Sequence, residues 1–329
     1  MKTATFLRCA AIGAALCLGA ISSEAAVAAD KLKLVFPTSS ATFALPYLVA
    51  QKQGWLDADS IQVSGDSNAM RAVLAGTGDV AIVGPFNIFS AAGEGARVRV
   101  FGTWQGINDY ELVVSSDINT MKEIEGKVFA GTGPGSPPEE FAKLLFRKNK
   151  VSIPGISFIA VSGGHANIVQ SLMAGRAAAG MVNTLSAVTG ARSGKVKILS
   201  SMGSEYPQLG YVYYVAREDK FNDPALKAKM QQLTTAGIKA ARFIEDHPDD
   251  AVQILVERYP ELDKALASDV VKELNRNHVW GVNGGITKEQ ASATLDIFKS
   301  TGLLKANVDL DKLIDYSLID TSLKELGSR

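Results

Sequence analysis

"LAGTGDVAIVGPFN", residues 74–87, returns further along the chain as "MAGRAAAGMVNTLS", residues 173–186. Each copy is an apolar helix tail, a glycine, a short apolar strand and a polar loop. Gly76 and Gly175 stand 99 positions apart, and the pairs Val83/Val182 and Gly95/Gly194 keep that offset. A short apolar run after a helix-ending glycine fits a parallel strand with helices over both faces. One βα plan used twice predicts two lobes of like construction, one around each echo.

The surroundings of each copy extend the pattern. Ahead of the first lie "LKLVF" (32–36), a helix carrying Leu45, Leu48 and Val49 up to Gly54, the strand "IQVSG" (61–65) and a helix through Met70 and Val73; "VRVFGTW" (98–104) follows. Around the second lie "KVFAG" (127–131), "ISFIAV" (156–161), the helix of "SGGHANIVQSLMAG" (162–175) and "VKILSS" (196–201). "SPPEEFAKLLFRKN" (136–149) reads as a helix with Ser136 as N-cap, Pro137 in the first turn and Glu139 closing a capping box. "YELVVSS" (110–116) and "GYVYYVARED" (210–219) are β-rich and read as the two strands linking the lobes. After Pro224 the chain is almost all helix, most simply cladding on the first lobe. The predicted class is α/β, with lobe 1 formed by residues 30–110 plus 216–329 and lobe 2 by 111–215.

Bulk composition narrows the function. The 329 residues are 47% hydrophobic and carry 34 basic against 34 acidic side chains, so no positive field draws nucleic acid or an acidic membrane. Lys2 and Arg8 precede the apolar run "CAAIGAALCLGAI", and "AVAAD" (26–30) offers small residues for cleavage, so residues 1–29 read as a secretory signal. That run is shorter than the ~20 apolar residues of a spanning helix. Both cysteines, Cys9 and Cys17, fall inside it, and Leu16 sits where lipid attachment to Cys17 would want a small residue. The mature chain is then cysteine-free, which removes disulfides, thiolate metal sites and cysteine nucleophiles. Only His165, His247 and His278 are present, and no phosphate loop, nucleophile elbow or His-Glu-x-x-His occurs. No enzyme activity, metal or cofactor is expected.

Ligands of parallel α/β sheets gather beyond the carboxyl ends of the strands, where helix N-termini point. That rule selects six loops: "PTSSATF" (37–43), "GPFN" (84–87), "QGIND" (105–109), "GTGPGS" (131–136), "SGGH" (162–165) and "NTLS" (183–186). The candidate ligand-binding residues are Ser39, Ser40, Thr42, Phe43, Pro85, Phe86, Asn87, Trp104, Gln105, Gly133, Gly135, Ser136, Gly164, His165 and Asn183. Asn87 and Asn183 stand out, at matching places in the two echoes. No lysine or arginine lies in any loop, so an anion would rely on N–H groups and helix dipoles, as at Ser40 and Ser136. A cation would prefer Asp109 or Glu111.

"ALPYLVAQKQGWL" (44–56), "LAGTGDVAIVG", "KEIEGKVFAGTGPGS", "IVQSLMAGRAAAGMV" and "HPDDAVQIL" resemble, in that order, the periplasmic solute-binding proteins of ABC importers. The similar branch is that of the nitrate, taurine and aliphatic sulfonate receptors, with their relatives that bind thiamine-pyrimidine precursors. One departure is Ala178, where the family often has aspartate. The resemblance implies a type II two-lobe clamp with two hinge strands. It would capture a small organic solute, such as a sulfonate, taurine or a nitrate-like anion, and deliver it to a membrane permease with its cytoplasmic ATPase. It further implies a periplasmic, monomeric protein. The alternatives are an enzyme of thiamine-pyrimidine synthase type, whose cysteine-rich motif this mature chain lacks, and a periplasmic sensor subunit.

Overall fold

The computed structural model describes residues 31–133 and 136–329. The expected signal segment, with Cys9 and Cys17, lies outside the described residues.

The first half alternates β1 (Leu32–Phe36), α1 (Ala41–Lys52), β2 (Ala58–Gln62), α2 (Asp66–Leu74), β3 (Val80–Val83), α3 (Pro85–Gly93) and β4 (Val98–Val100). The second half runs β5 (Tyr110–Ser115), β6 (Val128–Gly131), α4 (Pro137–Lys148), β7 (Ser157–Ala160), α5 (His165–Met173), β8 (Ala179–Asn183), α6 (Thr184–Ala191), β9 (Val196–Ser201) and α7 (Met202–Glu205). The chain then returns through β10 (Tyr213–Arg217) to α8 (Pro224–Asp246), α9 (Pro248–Arg258), α10 (Lys264–Arg276), α11 (Lys288–Ser300), α12 (Leu310–Leu313) and α13 (Ser317–Leu326).

The ten strands make two five-stranded sheets, ordered β2-β1-β3-β10-β4 and β7-β6-β8-β5-β9. Strand for strand the orders correspond. Three parallel strands adjoin one antiparallel strand in each, β10 in the first sheet and β5 in the second. The echo in the sequence is therefore a structural repeat: α2-β3-α3-β4 matches α5-β8-α6-β9. Gly76 and Gly175 follow their helices with φ of 78° and 69°, the left-handed conformation that ends a helix without a Cβ clash. Every residue of β3 is buried, as the continuous apolar run requires.

The two linking runs differ from expectation in one respect. β5 and β10 are full members of opposite sheets, and the passages between sheets fall just before them, over residues 101–109 and 202–212. An antiparallel bridge, Ile107 to Gly210, joins the two passages. The expected strand 98–104 stops at Val100, and Gly102, with φ 145°, turns the chain out of the sheet.

The helical tail clads the first sheet, with α8 and α9 packed on α1 and α13 on α8. It also reaches the second half. α10 packs on α6, Arg192 pairs with Asp263 at 3.0 Å, and the Phe298 ring of α11 stacks against Phe141 of α4. The capping box at α4 does not form. Ser136 makes no cap bond through its side chain, and Glu139 pairs with Lys143 at 2.8 Å instead of turning back.

Candidate functional site

Beyond the carboxyl ends of β1, β3, β7 and β8 a cavity of about 220 Å³ opens between the two sheets. The first half supplies Pro37, Thr38, Ser40, Phe43, Asp66, Gly84, Pro85, Phe86 and Asn87; the second supplies Phe141, His165 and Asn183. The passages contribute Asn108, Gly210, Tyr211 and Val212, the start of β5 contributes Tyr110, and the tail helix α11 contributes Phe298. A wider, more open pocket of about 580 Å³ shares Thr38, Ser40, His165 and Asn183 with it and adds Ser39 and Gly164.

Seven of the expected residues line the inner cavity: Ser40, Phe43, Pro85, Phe86, Asn87, His165 and Asn183. Ser39 and Gly164 lie in the outer pocket. Thr42 is buried beneath, with its Oγ1 3.0 Å from Ser40 Oγ. Trp104 lies wholly in the core, against Phe36 and Tyr214 at 5.9 and 5.3 Å between ring centres. Gln105 is buried in a bridge to Trp280. Gly133 and Ser136 line neither pocket, and Gly135 lies outside the described residues. The offset of 99 pairs Asn183 with Gly84, since both cap the helix after the central strand, whereas Asn87 sits inside α3.

Polar groups in the cavity hold one another. Asp66, the first residue of α2, accepts the Gly84 N–H at 2.9 Å and the Asn87 Nδ2 at 3.5 Å, both through Oδ2. Burial raises its pKa, against the smaller lowering from Gly84 and Asn87. Asn183 caps α6 by accepting the Ser186 N–H at 3.1 Å, while its own N–H donates to His165 Nδ1 at 3.2 Å. Burial lowers the pKa of His165, against a smaller raising from Asn183, and the bond to Nδ1 places the proton of the neutral ring on Nε2.

Two further acids lie behind the wall. Asp109 is buried with Oδ1 unpartnered, and burial pushes its pKa up to about 6, with Tyr211 and Gln105 opposing. Glu111 is raised to about 8, burial outweighing the hydrogen bond from Thr184. Its Oε1 accepts from Thr184 Oγ1 at 3.1 Å and from Asn277 Nδ2, just past α10, at 3.0 Å. Tyr110 meets Phe141, His165 and Tyr211 edge-on or tilted at 5.4 to 6.1 Å, and Phe86 meets Phe298 at 5.9 Å. The result is a nearly continuous aromatic wall.

Asp66, Tyr110, Phe141, Gly210, Tyr211, Val212 and Phe298 are the lining residues the six loops did not contain. Tyr110 follows the first passage between sheets and Tyr211 lies near the end of the second, positions the sequence does reveal. Phe298 comes from the tail and carries no local signal.

Among the described residues no three His, Cys, Asp or Glu are placed to hold a metal, and no helix is long and apolar enough to cross a membrane.

Residues 42–251 match the family model described as NMT1/THI5 like. No curated protein matches the chain. Among solved structures, the alkanesulfonate-binding protein SsuA from Xanthomonas axonopodis pv. citri, bound to MOPS, is similar at TM-score 0.67 and 16% identity, covering 87% of this chain and 98% of that one. The periplasmic nitrate-binding protein NrtA from Synechocystis PCC 6803 gives 0.68 and 16%, covering 90% and 89%. The ligand-binding component of an ABC-type import system from Staphylococcus aureus gives 0.71 and 14%, covering 89% and 99%. At such identities the likeness speaks to the fold, which is the two-lobe type II periplasmic binding protein fold.

Proposed function

The chain belongs to the NMT1/THI5-like family, and from that premise we propose that it is an extracytoplasmic solute-binding protein. It captures a small organic solute between its two lobes and presents the loaded form to an ABC permease with its cytoplasmic ATPase. The observation that carries this reading is the cavity itself, whose walls come from both sheets and both passages. A guest touching Asp66 and Phe86 on one side and His165 and Asn183 on the other stabilises only the arrangement in which those surfaces face each other. Closure thus reports occupancy, which an importer needs in order to tell loaded from empty.

The similarity to importer receptors supports binding over catalysis, as does the occupied Nδ1 of His165, which leaves the cavity's one imidazole no free lone pair to accept a proton. On this reading the protein is periplasmic and monomeric, secreted by removal of residues 1–29, with lobe 1 formed by 30–110 plus 216–329 and lobe 2 by 111–215.

A thermal-shift screen of sulfonates, nitrate, taurine, aromatic acids, pyrimidines and amines tests it, with hits carried into small-angle scattering. A bound solute raises the melting temperature by mass action and lowers the radius of gyration. A screen in which no solute does either refutes capture.

A further inference from the structure

The lining of the inner cavity contains one formally charged side chain, the carboxylate of Asp66, and neither lysine nor arginine. Asp66 Oδ2 is engaged by Gly84 and Asn87, but among the described residues no hydrogen bond or ion pair reaches its Oδ1. The same cavity is lined by the rings of Phe43, Phe86, Tyr110, Phe141, Tyr211 and Phe298. A carboxylate and several aromatic rings lining one small cavity suit an organic cation, because the ring quadrupoles and the formal charge act with the same sign.

The loops around the cavity also contain several helix starts, which would ordinarily favour an anion. Here four of those donors are engaged within the protein. The Gly84 N–H goes to Asp66, the Ser186 N–H to Asn183, the Asn183 N–H to His165 Nδ1, and the Ser40 N–H to Thr38 Oγ1. Each of the two helices that meet at Asp66, α2 and α3, contributes about half a positive charge at its start, which the carboxylate offsets. Asp109 adds a second acid directly behind Tyr211. His165 is neutral and supplies no compensating charge.

Resting on the solute-capture reading, we propose that the ligand is a compact organic amine, bound as a cation with its nitrogen donating to Asp66 Oδ1 and its apolar body among the cavity rings. The cavity has room for roughly seven groups of water size, at about 30 Å³ each, so the guest is small. Asp66 is the residue that decides charge, and the rings decide shape.

The test is a charge series on two fixed bodies, read by calorimetry and thermal shift on the purified protein at pH 7.5: benzylamine, benzyl alcohol and benzoate, then n-butylamine, n-butanol and butyrate. On the better-fitting body the amine binds at least tenfold more tightly than the alcohol, and the carboxylate binds weakest. Asp66→Asn, which keeps an oxygen to accept the Gly84 N–H, removes that preference, so that amine and alcohol bind within about threefold of each other. The wild-type series stands alone if the variant fails to fold. A carboxylate that binds as tightly as its amine overturns the amine assignment while leaving capture intact. Silence from all six probes also overturns it, and capture then rests on the broader solute screen. An amine preference that survives in Asp66→Asn overturns the role given to Asp66.

Discussion

Glu111 should make this protein less stable as the pH rises through neutrality. The side chain is fully buried; its Oε2 has no hydrogen-bond partner, nor does the Ser201 Oγ on the paired strand. Burial lifts its pKa from an ordinary 4.5 to about 8, with Glu273 and Asp109 adding to the rise. In the unfolded chain the group ionises near the ordinary value, so between these two points the folded protein holds a proton that the unfolded chain has released. Stability is then full below about 4.5 and falls as pH rises toward about 8, because the unfolded state is favoured by losing that proton. Linkage over that interval gives a loss of about 3 kcal/mol between pH 5.5 and pH 8, which for a chain of this size lowers the melting temperature by roughly 6 °C or more. Glu111→Gln keeps an oxygen to accept from Thr184 and Asn277 and cannot ionise. Melting curves of the ligand-free protein, followed by circular dichroism at half-unit steps of pH, should show the wild-type slope above pH 6 and a nearly flat line for the variant there. A slope should persist in both below pH 6, from Asp109, which shifts in the same direction to about 6. Equal slopes for wild type and Glu111→Gln between pH 6 and 8 would refute the reasoning.

Three further outcomes follow from the packing. Asn183→Ala removes both a cavity amide and the cap on the Ser186 N–H, so it should cost about 1 kcal/mol in stability and weaken the best hit of the solute screen in calorimetry; unchanged affinity takes the residue out of the site. Phe298→Ala should destabilise by roughly 3–5 kcal/mol, because the ring is buried against Phe86, Phe89 and Phe141, and should also weaken ligand binding by opening the aromatic wall. Gly106→Ala would bring a Cβ within 2.4 Å of the Gly285 carbonyl oxygen, a backbone atom that cannot swing aside; a loss of about 2 kcal/mol or more in urea unfolding is expected, and a neutral result would mean that the passage between sheets yields easily.

The sequence by itself determined the βα alternation, the duplicated plan and the loops that face the cleft. These follow from local physics: strand and helix periodicities, glycines such as Gly76 and Gly175 that must take positive φ, and the rule that parallel strands aim their carboxyl ends at one edge. That edge is where Ser40, Phe86, His165 and Asn183 were expected and where they meet. Tertiary structure alone decided which side chains turn inward. Trp104 is drawn into the core because Gly102 turns the chain out of the sheet at the end of β4, and no local pattern distinguishes that from a ring facing the cleft. Ser136 was read as a cap from its spacing to Glu139, but the nearby Lys143 ammonium attracts that carboxylate more strongly than an N–H would. Asp66 and Phe298, 232 positions apart, reach one cavity only because the tail returns across the first half to meet the second. Periodicity fixes which face of an element is apolar; the convergence of distant elements fixes which charge that face finally surrounds.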